Sequence, residues 1–84
     1  MLFRSQPSAG GEYALQAAFT ADEIGPALDG YAGEDRSDDD GLPYTAYELS
    51  RTEFDAVIAG LDAADRVTED GGEADAPCLI AVYP

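Results

Sequence analysis

The sequence has no lysine and no histidine, and only one cysteine in 84 residues. Without imidazole or ammonium groups it lacks the usual general bases and Schiff-base nucleophiles. A lone cysteine, Cys78, excludes an internal disulfide and a cysteine-based zinc cluster. It sits in the apolar run Cys78-Leu79-Ile80-Ala81-Val82 with no cation beside it in sequence, so a buried, unreactive thiol is expected. No apolar stretch is long enough to span a membrane, and residues 1–10 have neither the basic nor the apolar run of a signal peptide. The expected compartment is the cytoplasm.

Positive charge is also scarce. Four arginines (Arg4, Arg36, Arg51 and Arg66) face 18 acids, for a formal net charge of −14. A magnitude of roughly 2–8 keeps a small domain soluble, so this chain accepts self-repulsion beyond that need. Such a field repels nucleic acid and anionic membrane and attracts a basic groove. The expected partner is therefore a basic nucleic-acid-binding protein or ribonucleoprotein complex.

The length fits one domain over residues 1–84, with 45% hydrophobic residues. Fifteen of these are alanine and only 17 are Leu, Ile, Val, Met or Phe, which predicts a small core without a deep cavity. Two segments thirty positions apart read as a strand running into a helix. Leu15, Ala17 and Phe19 alternate before Thr20-Ala21-Asp22-Glu23; Thr45, Tyr47 and Leu49 alternate before Ser50-Arg51-Thr52-Glu53. Each tetrapeptide is a capping box, flanked at staple spacing by Phe19/Ile24 and Leu49/Phe54. The second helix carries Phe54, Val57, Ile58 and Leu61 on one stripe and is expected to end near Asp65 or Arg66. Gly60 within it is tolerable if a strand packs close. Gly25-Pro26 interrupts the first helix after one turn, which leaves it short, kinked, or restarted with Pro26 at its first position and Leu28 and Tyr31 carried inward.

Residues 2–6 and 78–83 supply two further strands, the last apolar enough to be central in a sheet. The predicted fold is α+β: a two-layer sandwich of about four strands with two helices on one face, in the order β-β-α-β-α-β. Its uncovered face offers a surface for a homodimer. If the strand holding Tyr44 and Tyr47 is regular, Tyr47 faces the core and Tyr44 points away with Glu48.

Fourteen of the 18 acids lie between residues 32 and 75. Glu34, Asp35, Asp38, Asp39 and Asp40 read as one acidic loop, and Glu69, Asp70, Glu73 and Asp75 as another. Both loops follow helices and are expected at the same end of the sheet, joined by Asp55, Asp62 and Asp65 into one face that imitates a row of phosphates. Tyr44 beside it is a candidate anchor. Reversing Asp38, Asp39 and Asp40 to lysine is expected to abolish binding with the fold intact.

A calcium loop does not fit, because counting back from Gly41 puts Arg36 in the first ligand position and Tyr47 in the twelfth. No metal, cofactor or catalytic residue is expected. There is no nucleophile elbow, no phosphate-cradling glycine loop and little room for a cleft.

In size and charge the chain resembles the small acidic inhibitors of phages and mobile elements, such as anti-CRISPR and anti-restriction proteins, and the immunity proteins that neutralise nuclease toxins. That resemblance implies a non-enzymatic inhibitor that occupies a nucleic-acid groove. It carries no motif and transfers no residue roles. The same composition, with aspartate (11) above glutamate (7), abundant alanine and no lysine, also describes a housekeeping or interaction domain adapted to a salty cytoplasm.

Overall fold

The computed structural model describes residues 13–84. The strand expected over residues 2–6 and the turn after it lie outside these residues. The fold is α+β, with an open five-stranded mixed sheet.

Leu15–Thr20 forms β1, whose odd-numbered residues Leu15, Ala17 and Phe19 turn to the core as their alternation requires. Thr20 opens the short helix α1, Ala21–Ile24, and its N–H donates to the Glu23 carboxylate at 2.9 Å. Proline follows at once: a 3₁₀ turn, Gly25–Leu28, restarts the chain around Pro26. It buries Leu28 and leads Tyr31 against the core.

Strand β3, Pro43–Leu49, runs into α2, Arg51–Leu61. The capping box at Ser50 is complete, with the Glu53 N–H donating to the hydroxyl and the Ser50 N–H donating to the Glu53 carboxylate, both at 3.1 Å. Phe54, Val57 and Ile58 are buried. Each contributes about 1.5–3 kcal/mol on burial.

Helix α2 stops four residues earlier than its sequence suggests. Asp62 adopts the left-handed conformation (φ 55°), and the Ala63 N–H donates back to the Ile58 carbonyl at 3.2 Å, closing the helix end. The acids that looked helical, such as Asp65, fall in a separate 3₁₀ turn, Ala64–Arg66. Nor does any strand approach Gly60: a Cβ there would meet nothing within 4 Å.

Two strands arise where the sequence suggests acidic loops. Glu34–Ser37 is β2, and Thr68–Glu69 is β4; the last strand, β5, spans Cys78–Tyr83. The order across the sheet is β2-β3-β5-β1-β4, so β5 is central as its apolar sequence demands. It pairs parallel with β1 and antiparallel with β3. Both unexpected strands are edges. An edge pairs on one side only, and charged side chains there also block unwanted pairing, which hides its strand character in the sequence.

Ile24, Leu28, Phe54, Val57 and Ile58 pack with Ala17, Phe19, Leu49, Cys78, Ile80 and Val82. Both helices therefore cover the same face of the sheet. On the other face Tyr13, Ala46 and Leu79 form a small second cluster with Tyr44 against it. Among the described residues, no helix is long and apolar enough to cross a membrane.

Candidate interaction surface

The sheet separates the two acidic runs. β2 and β4 occupy opposite edges. Ser37 pairs with Pro43 at the end of the sheet where β1 and β5 finish, which places Asp38, Asp39 and Asp40 at that end. Glu69 pairs with Leu15, so Glu73 and Asp75 follow at the other end, on the way to Cys78. The expected single face is therefore replaced by two acidic zones, diagonal to one another across the sheet. Exposed Asp55 projects from α2, Asp62 closes it and Asp65 follows in the 3₁₀ turn.

Asp70 belongs to neither zone. It is 7% exposed, and its carboxylate accepts the Tyr13 N–H at 3.1 Å and the Gln16 amide at 2.7 Å. It ties the chain after β4 to the start of β1 and is not available to a partner. A carboxylate buried with two donors is satisfied, and its sequence context of acids concealed this role.

At the β2 edge the acids are ordered by specific bonds. Asp38 Oδ1 accepts the N–H groups of Asp40 and Leu42, both at 2.9 Å, and Asp38 Oδ2 accepts the Tyr83 hydroxyl at 3.1 Å. These donors favour the ionised form, the Leu42 N–H most, and hold the Asp38 carboxyl below the usual aspartate range. Gly41 (φ 83°) completes the turn. Asp39 and Asp40 remain exposed, as do Glu34 and Asp35 on β2. Leu42 in this turn is 54% exposed, the large hydrophobic residue left outside among those described.

On the uncovered face Arg36 gathers three partners. Its Nε donates to Glu34 at 2.6 Å, Nη1 to the Tyr13 hydroxyl at 2.7 Å and Nη2 to Glu48 at 3.0 Å. Tyr13 in turn donates to Glu48 at 2.7 Å. The Tyr13 and Arg36 bonds pull the Glu48 pKa down, while burial is the main cause of a raised Tyr13 pKa. The alternation expected of β3 holds, with Tyr47 against the helix-side core and Tyr44 against the other cluster.

The other two described arginines are also engaged. Arg66 donates twice to Glu23, at 2.9 and 2.7 Å, which holds the Glu23 pKa down at about 2. Its guanidinium lies 5.1 Å from the Phe19 ring centroid. Arg51 pairs with Asp55 one turn along α2 at 3.3 Å. The exterior thus presents acids with no unpaired cation among the described residues. Cys78 is fully buried and its thiol is pushed up by burial. Among the described residues no three potential ligands converge on a metal position.

Sequence reasoning missed the Arg36 network and the Tyr83–Asp38 bond, since both join residues far apart in the chain. The signal present was parity: Leu79, Ala81 and Tyr83 alternate with the core residues of β5, so they had to share the uncovered face.

No family model, curated protein or solved structure matches this chain.

Proposed function

We propose that this is a non-enzymatic acidic interaction protein that docks on the basic, nucleic-acid-binding surface of a partner and competes there with phosphates. The observation that supports it best is the state of the arginines. With −14 overall and all three described arginines closed into internal pairs, nothing on the described surface offsets the field presented to a partner. The end of α2 adds support. Asp62 sits in a left-handed conformation and at the negative end of a helix whose last turn has no basic residue, two features that cost stability. An acid retained at such a place is consistent with selection for charge.

The zone around Glu34, Asp35, Asp39 and Asp40 is the best-organised docking surface, because the Asp38 turn fixes its backbone and exposed Leu42 adds an apolar contact. The test is capture of a partner at low salt, followed by challenge with duplex DNA or RNA. Release by nucleic acid at unchanged ionic strength is expected; capture indifferent to nucleic acid overturns the reading.

One observation favours a second reading, acidity as adaptation to a salty interior. The acids lie on both sheet edges, at both sheet ends and along α2, which is how a solubilising coat is distributed.

A further inference from the structure

On the uncovered face lies a groove of about 450 Å³ whose lining includes Ala18, Leu79, Ala81, Tyr44, Tyr83 and Asp39. We infer that this groove receives an arginine side chain of the partner, its guanidinium stacked on the tyrosines and paired with the aspartates. The inference rests on the proposed basic partner and specifies where that partner is read.

Three observations converge. First, the Tyr44 and Tyr83 rings stand with centroids 5.4 Å apart and planes tilted by 33°, forming one aromatic wall. The Tyr83 hydroxyl bond to Asp38 fixes that wall to the acidic turn. Second, the groove joins apolar alanine and leucine side chains to Asp38 and Asp39. An apolar ligand would leave these carboxylates desolvated without a counter-charge, whereas an anion would be repelled. A guanidinium satisfies both parts, because it is weakly hydrated, flat enough to stack and able to bond a carboxylate with two donors. Lysine, a strongly hydrated point charge, matches less well.

Third, the chain contains this arrangement in its own fold. Arg66 lies over the Phe19 ring while both of its terminal nitrogens bond to Glu23. Arg66 also borders the groove, but Glu23 already neutralises it, so it does not bar a second cation. A second copy of the chain is the wrong occupant, since it brings another 14 negative charges to an acidic rim.

The test is an NMR titration of the intact protein with a ten-residue arginine peptide and, separately, its lysine counterpart. Saturable shifts of the Tyr44 and Tyr83 rings and of the Ala18 and Ala81 methyls are expected, with tighter binding of the arginine peptide. Tyr44→Leu should weaken that binding roughly fivefold, the loss of one stacked cation. The wild-type shift map decides the matter even if this variant folds poorly. Shifts confined to α2 and β4 overturn the groove assignment and leave docking on a basic partner standing. Absence of salt-sensitive binding to either peptide removes both.

Discussion

The Arg36 guanidinium donates to the Tyr13 hydroxyl at 2.7 Å, and that hydroxyl donates in turn to Glu48 at the same distance. This network joins edge strand β2 to residues just before β1, across the strands between them, and it sets one positive charge between two acids on the uncovered face. Arg36→Met should therefore lower stability by about 1 kcal/mol, the modest size reflecting its partial exposure. Thermal unfolding should show a Tm lower by about 4–8 °C for a domain of this size. Arg36→Lys should recover only part, because one ammonium cannot reproduce the three-way fork.

The end of α2 is a place where stability can be raised. Gly60 is exposed and a Cβ there meets nothing, so Gly60→Ala should stabilise by about 1 kcal/mol. Asp62→Gly should also stabilise, by relieving the left-handed strain and removing an acid from the helix C-terminus. Denaturation midpoints in urea would measure both. A midpoint lowered by Gly60→Ala would mean that the helix there packs differently.

Gly33 is the opposite case. A Cβ at this position would run into the Thr45 Cγ2 methyl and stand 2.9 Å from the Tyr47 ring, whose other side belongs to the core. Gly33→Ala should displace Thr45 and Tyr47 and cost about 1–3 kcal/mol, as overpacking does. Unfolding in urea would show the loss, and Thr45→Ser in the same background, which can remove the nearest methyl, should recover part of it.

Acid sensitivity should arise at identifiable residues. Glu23 has its pKa lowered from 4.5 to about 2 by Arg66, so its contribution is present above the unfolded value and is lost as pH falls from about 4.5 toward 2. Asp38 and Glu48, also lowered, act in the same direction. Glu23→Gln lacks the contribution at every pH, so the Tm difference from wild type should shrink between pH 6 and pH 2. At the alkaline end Tyr13 and Tyr83 are raised above 10, mainly by burial. Their contribution is present below pH 10 and is lost as pH climbs through the raised values.

The acidic turn separates binding from folding. Asp38 anchors the turn and Tyr83, so reversing all three aspartates would damage the hairpin along with the surface. Asp39→Lys with Asp40→Lys is the clean variant. It should keep the wild-type circular dichroism and Tm while weakening capture of a basic partner at least tenfold. Undiminished capture would move the docking surface elsewhere.

The core and the helix starts were legible because they depend on local pattern. Alternation in β1 and β3, the Ser50–Glu53 box and the 54-57-58 stripe all act within a few residues. The edge strands were not legible, since Glu34–Ser37 becomes a strand only through pairing with β3 and has no apolar side to announce it. The two acidic zones were misplaced for the same reason: strand order is a long-range property, and it sent the runs to opposite edges. Asp70 and Arg36 show the limit for side chains. Each looks like one charge among many, and only partners brought from 57 and 23 positions away reveal what it holds.

On the proposed function, the charge serves docking on a partner and is not a requirement of the fold. Thermal unfolding in dilute buffer and again in molar potassium chloride tests it most directly. A folded, cooperative domain is expected in dilute buffer, with the arginine pairs and Asp70 sufficient to hold it. A chain that is unfolded there and folds only in molar salt would overturn the docking function and assign the acids to a saline habitat.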